Sequence, residues 1–183
     1  MGIRKLTVKE RELIEDIDEF CKKIIDEFYL DKSKIRYEFQ CEQIIKAIKT
    51  NEGKRGQNKV YKFLDKIKDK KGIYCFVDSE GNPVYIGQGG SKKDDIKRRV
   101  IVEPKIYPED TGATLTENIR KIEKLFGKNM NYEDARRLLF DYKVIVIAKN
   151  KNDSELTIES LNRIEQILIH LFRPNYNLDY SIT

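Results

Sequence analysis

Cysteine and histidine are scarce: only Cys21, Cys41, Cys75 and His170 occur in 183 residues. Disulfide frameworks and zinc sites need denser, patterned cysteines, so the three read as free thiols in a reducing compartment. No apolar run approaches the roughly 20 residues that span a bilayer, and the N-terminus has no apolar signal region. The expectation is a soluble, cytoplasmic protein with no membrane partner. No internal repeat or low-complexity segment is visible.

Charge, by contrast, is abundant. Charged residues make up 37% of the chain against 39% hydrophobic, which is highly charged for a globular protein. A core is still expected from runs such as Val144-Ile145-Val146-Ile147-Ala148. The length fits one domain, or a small catalytic domain with an extension. The net charge of +5 permits nucleic-acid binding without requiring it, since solvated lysine and glutamate surfaces are common. The distribution says more: Glu10 to Glu27 is rich in acids, whereas Lys46 to Lys71 is dominated by lysine.

From Val8 to Leu30, apolar residues recur in steps of three and four, the mark of an amphipathic helix. Further helices are expected over Ile35–Ile48 and Lys59–Ile67, separated by the polar, glycine-punctuated loop Asn51 to Gly56. Residues 1–71 thus read as a helical region, suited to DNA binding or oligomerisation. At Gly72 the texture changes. Ile73–Val77 and Val84–Ile86 read as strands joined by Asp78-Ser79-Glu80-Gly81-Asn82-Pro83. A helix around Ile96–Val100 follows, then a loop broken by Pro104 and Pro108, and helices near Leu115–Phe126 and Tyr132–Phe140. Tyr142–Ala148, apolar without alternation, reads as a central strand covered on both faces. Ile158–Phe172 is a strongly periodic helix.

Two tripeptides, Gly72-Ile73-Tyr74 and Tyr85-Ile86-Gly87, fall on the two hairpin strands, so their phenols can converge on one pocket. Alone, each is an ordinary strand fragment; in this order and at this separation they form a pair. Ile96-Lys97-Arg98-Arg99-Val100 comes next, and would otherwise read as a solvated basic helix face. In the last helix, Glu165 fills a slot between Leu161, Leu168 and Phe172. A carboxylate in an apolar stripe needs a partner or a metal, unless it sits at the stripe's edge or meets a buried arginine. The helix runs on through Arg173 into Pro174-Asn175-Tyr176-Asn177, where proline ends it and Asn177 can fold back to hydrogen-bond.

Together these segments resemble the GIY-YIG nucleases, over roughly Gly72 to Asn177. The closing stretch is similar to that of the nuclease domain of bacterial excision-repair incision enzymes. The resemblance implies an α+β fold with a small three-stranded, mostly antiparallel sheet flanked by helices. The catalytic domain would span 72–183 with a helical insertion at about 102–140, preceded by the N-terminal helical region. It implies catalytic roles for Tyr74, Tyr85, Arg99, Glu165 and Asn177, structural roles for Gly72 and Gly87, and Arg98 as the basic neighbour of Arg99. One departure stands out. Many family members carry a histidine one turn after the arginine, where this chain has Glu103. His170 lies on the far side of the last helix from Glu165 and reads as a surface residue, so a histidine general base is missing.

The implied mechanism places one divalent cation, Mg²⁺ or Mn²⁺, on Glu165 and the scissile phosphate, a hard ion that keeps several waters. Tyr74 would be the general base, Tyr85 would orient the water or phosphate, and Arg99 would neutralise charge on the phosphoryl oxygens. A phenol near pKa 10 is a poor base at pH 7, so a nearby cation must favour phenolate. The expected activity is DNA endonuclease, of a restriction-type or mobile-element system, leaving 5′-phosphate and 3′-hydroxyl ends. A repair nuclease and an inactive DNA-binding module are the alternatives. Lys46, Lys49, Lys54, Arg55, Lys59, Lys62, Lys97 and Arg98 are candidate contacts to double-stranded DNA. One site cuts one strand, so a double-strand break would call for a homodimer or two events.

Overall fold

A computed structural model describes residues 36–51, 58–90, 95–105, 115–152 and 156–177. The expected first helix, Val8–Leu30, together with Cys21, Lys54, Arg55 and the side chain of Lys59, lies outside the described residues. The architecture is α+β, built on a four-stranded, wholly antiparallel sheet in the order β1-β4-β2-β3. Its strands are β1 Arg36–Gln40, β2 Lys70–Val77, β3 Pro83–Gly89 and β4 Lys143–Asn150.

The fourth strand corrects the expected three-stranded sheet, and it starts where a helix was expected. Arg36-Tyr37-Glu38-Phe39-Gln40 alternates, with Phe39 buried between exposed Glu38 and Gln40. That period of two suits a strand, and Phe39 pairs with Val144 across β1 and β4. Helix α1, Cys41–Asn51, begins only afterwards. Asn58–Ile67 forms a 3₁₀ helix rather than an α-helix. Its buried residues Tyr61, Leu64 and Ile67 recur every third position, matching three residues per turn. Phe39, Ile44, Ile45, Tyr61 and Leu64 share one core cluster with Tyr74 and Tyr85. A boundary at 71/72 therefore does not separate two cores among the described residues.

The sheet has two covered faces. Tyr74, Phe76, Tyr85, Val144, Val146 and Ala148 point into the larger core with α1, the 3₁₀ helix and three further helices. These are α2 Ile96–Val102, α3 Leu115–Leu125 and α4 Tyr132–Leu138. Ile73, Cys75, Val77, Ile86, Ile145 and Ile147 face the opposite way, against Leu161, Ile164, Leu168 and Ile169 of α5, Ile158–Phe172. As expected, β4 is an interior strand buried from both sides. Cys41 and Cys75 are buried free thiols. Among the described residues no helix is long and apolar enough to cross a membrane.

Local chemistry sets the ends of these elements. Asp95 caps α2 by accepting from the Arg98 amide at 2.7 Å, and Thr157 caps α5 through the Ser160 amide at 3.1 Å. Arg173 closes α5 in the left-handed region at φ 46°, and Pro174 follows it.

Candidate active site

Hairpin register brings the two tyrosines together. Tyr74 pairs with Gly87 and Phe76 with Tyr85, so Tyr74 and Tyr85 are diagonal neighbours on one face. Their ring centroids are 6.3 Å apart, and Phe76 completes an aromatic triangle at 6.1 and 6.2 Å. Gly87 has no room for a side chain, because a Cβ there would run into the Tyr74 ring. At Gly72 a Cβ would strike the Ile147 carbonyl of β4. Both motif glycines permit close approach, one by a ring and one by a neighbouring strand.

Helix α2 supplies the next members. Ile96 and Val100 bury one stripe, which leaves Arg99 and Glu103, one turn apart, on the adjacent stripe. Glu103 is 1% exposed and gathers the cluster. Its Oε1 accepts from the Tyr74 hydroxyl at 2.6 Å, from Arg99 Nη2 at 3.1 Å and, more loosely, from the Tyr85 hydroxyl at 3.5 Å. Its Oε2 accepts from the Leu115 amide at 2.9 Å, at the N-terminus of α3. The sequence marked Glu103 only as the place of a missing histidine; the geometry makes it the centre. The missed signal was the four-residue spacing from Arg99.

Charges act strongly here because water is excluded. Burial, then the Glu103 charge, pushes the Tyr74 phenol well above its ordinary value, and Tyr85 moves the same way. Burial also raises Glu103, outweighing Arg99 and the hydroxyl donors. Arg99 is held protonated, by Tyr74 first and by Glu103 after the opposing effect of burial. Phenolate is thus disfavoured in this resting arrangement, contrary to what a simple tyrosine base requires.

Glu165 approaches from α5, on the other face of the sheet. Its carboxyl is raised to about 7 by burial, opposed by Arg99 and reinforced by Glu103. Its charge also reaches Tyr85. Glu165 is thus within electrostatic reach of Tyr85, Arg99 and Glu103. Among the described residues, burial, Arg99 and Glu103 set the state of the Glu165 carboxyl, and none of these is a hydrogen bond. Gln88 of β3 donates to Asn162 of α5 at 2.9 Å, fixing the helix against the edge strand.

Asn177 lies where the fold-back was expected, with its side chain bonded to the backbone of β3. Its Oδ1 accepts from the Ile86 amide at 2.9 Å and its Nδ2 donates to the Ile86 carbonyl at 2.7 Å. The Tyr176 amide adds a bond to the Val84 carbonyl at 2.9 Å. This segment satisfies part of the free edge of β3 and positions it. His170 is exposed, as expected.

The expected DNA contacts scatter. Lys46 pairs with Glu42 at 2.7 Å and Lys49 with Glu133 at 3.2 Å, while Lys62 is exposed. Lys97 and Arg98 instead line a groove of about 430 Å³ with Lys68, Lys105, Tyr61 and Asp95. Lys97 also pairs with Asp65 at 2.6 Å. Burial, then Arg98, lowers Lys105. Lys68 and Lys105 were not singled out in the sequence, because only packing of the 3₁₀ helix along α2 joins them.

Comparison with known proteins returns no matching family model, no similar curated protein and no matching solved structure. The site therefore speaks through its own chemistry.

Proposed function

We propose that this chain is a divalent-metal-dependent DNA endonuclease of the GIY-YIG kind, hydrolysing phosphodiesters to 5′-phosphate and 3′-hydroxyl ends. The observation that carries the reading is convergence. Two phenols, a guanidinium and two carboxylates from β2, β3, α2 and α5 act on one another within a single cluster. Such a set supplies what phosphoryl transfer needs, fixed cationic donors for the phosphoryl oxygens together with groups that manage a proton.

Among the described residues, no group of three or more His, Cys, Asp or Glu side chains is gathered for a metal. A Mg²⁺ ion, which keeps most of its waters, needs no such group. Glu165 fits the single-carboxylate requirement, since it is half-buried and, among the described residues, no hydrogen bond sets its state. When bound, the cation supplies Lewis-acid polarisation of the phosphate and stabilisation of the departing 3′ oxygen. Arg99, partly exposed beside the buried cluster, is the group to meet a phosphoryl oxygen. Tyr85 orients the incoming water, and the groove of Lys68, Lys97, Arg98 and Lys105 receives neighbouring phosphates of the strand. A restriction-type or mobile-element role is the biological setting proposed.

The test is incubation of purified protein with supercoiled plasmid, with Mg²⁺, with Mn²⁺ and with EDTA, followed by end-labelling of the products. Nicking that needs the metal and leaves 5′-phosphate supports the reading. Binding without cleavage in either metal would make the chain a DNA-binding module instead.

A further inference from the structure

We infer that Glu103 is the terminal proton acceptor of the site, taking the proton of the attacking water through the Tyr74 hydroxyl. The inference rests on the phosphodiesterase reading above and resolves its weakest point, the need for phenolate. The Tyr74 proton is committed to Glu103 by a 2.6 Å bond between two fully buried groups. A hydroxyl whose proton is so engaged acts toward other groups as an acceptor; Arg99 and Tyr85 are hydrogen-bonded with Tyr74 in this arrangement, so the attacking water takes the place of one of them. Tyr74 need never become phenolate, because it can gain one proton as it loses the other.

Burial raises the Glu103 carboxyl and so makes it the better base, while four elements hold it by hydrogen bonds. β2 contributes the Tyr74 hydroxyl, β3 the Tyr85 hydroxyl, α2 the Arg99 guanidinium and α3 the Leu115 amide. Glu165 on α5 is a like charge nearby, which the reading assigns to the metal. Tyr85, 8% exposed, and Arg99, with a third of its side chain exposed, are the members that reach the surface. Tyr74 itself is 0% exposed, so the relay requires the attacking water to approach its hydroxyl past these two.

The step balances. The water oxygen forms its bond to phosphorus as its proton passes to Tyr74 Oη, and the Tyr74 proton passes to Glu103. The P–O3′ bond breaks, and the 3′ oxygen takes a proton from solvent. After product leaves, Glu103 returns its proton to solvent by the same path. Glu103 acts through Tyr74 and does not touch the substrate, so it is a positioning and proton-accepting residue.

The experiment compares wild type, Glu103→Gln, Glu103→His, Tyr74→Phe, Tyr85→Phe and the double variants that join each tyrosine change to Glu103→Gln. Each is tested for Mg²⁺-dependent plasmid nicking across pH, for DNA affinity, and for Mg²⁺ binding to the protein alone by calorimetry. Circular dichroism melting checks folding. Glu103→Gln should lower kcat about a hundredfold with KM, DNA affinity and Mg²⁺ affinity unchanged. The Tyr74→Phe/Glu103→Gln double variant should be no slower than the slower single variant, because both remove one path. Glu103→His should recover most of the rate, with its acid limb governed by an imidazole near pKa 6.5. If Glu103→Gln fails to fold, the histidine variant carries the test through that limb. Wild-type kcat in Glu103→Gln, additive losses in the Tyr74→Phe/Glu103→Gln double variant, or coupling to Tyr85→Phe in place of Tyr74→Phe would each overturn the relay and leave the nuclease reading standing. So would weakened Mg²⁺ binding by Glu103→Gln, which would make Glu103 a ligand. A wild-type protein that nicks nothing in Mg²⁺ or Mn²⁺ would remove the nuclease reading and the relay with it.

Discussion

The two sides of helix α2 carry cations in opposite circumstances. On the inner side Arg99 is locked against a carboxylate that is 1% exposed, within a cluster of fixed bonds. On the outer side Arg98 and Lys97, the latter paired with Asp65 at 2.6 Å, line an open groove with Lys68 and Lys105. One helix thus bears a preorganised centre and a diffuse electrostatic track. Loss of a group from the first breaks geometry, whereas loss from the second changes a field that counterions already weaken.

The largest expected contrast comes from Arg99→Ala. Nicking should fall about 10²–10³-fold, the loss typical for one charge-stabilising donor. Folding stability should drop by about 3 kcal/mol, because Glu103 is left buried without its counter-charge. Arg99→Lys sharpens the point: it should restore much of the melting temperature but little of the rate, since an ammonium lacks the planar fork. Equal recovery of both would break the view that geometry governs the inner side.

Asn177→Ala comes next. It strips partners from the Ile86 amide and carbonyl, at about 2 kcal/mol of stability by urea unfolding. An unchanged midpoint would mean the edge of β3 does not depend on that segment. The Glu165 carboxyl gives a smaller, graded effect. Because it is raised from 4.5 to about 7, protons compete with metal, so Mg²⁺ affinity by calorimetry should fall about tenfold per pH unit below 7 and level off above it. Without metal the sign for folding is the reverse. The raised group favours the folded state below 4.5, and that contribution is lost as pH climbs to about 7.

The outer side should respond least. Lys68→Ala or Lys105→Ala should reduce the salt dependence of duplex binding, read by fluorescence anisotropy, by about one unit of slope each. The nicking rate at saturating DNA should stay unchanged. A loss of kcat as large as that for Arg99→Ala would erase the distinction between the two sides.

Much of this was legible in the sequence because it is written in local patterns. The hairpin, the interior strand β4 and helix α5 each follow from periodicity over a few residues, and the proline after α5 marks its end. Arg36–Gln40 was not legible as a strand, because its alternation is short and runs directly into α1. Its edge position emerges only from pairing with β4, far along the chain. Glu103 was hidden for a different reason. In the sequence it stands before Pro104 and looks like the polar start of a loop. Its role depends on partners from three other elements that only tertiary packing assembles. Lys68 and Lys105 share that fate, whereas Tyr74, Tyr85 and Glu165 were legible through motifs.

The central claim is that a carboxylate on α5 serves the same phosphate as the tyrosines and arginine on the other face of the sheet. It is tested most directly by comparing single-turnover plasmid nicking of wild type and Glu165→Gln in Mg²⁺, at equal DNA occupancy. The account expects the variant to bind DNA like wild type, or slightly better, and to nick at the metal-free background. Wild-type nicking by Glu165→Gln would contradict it.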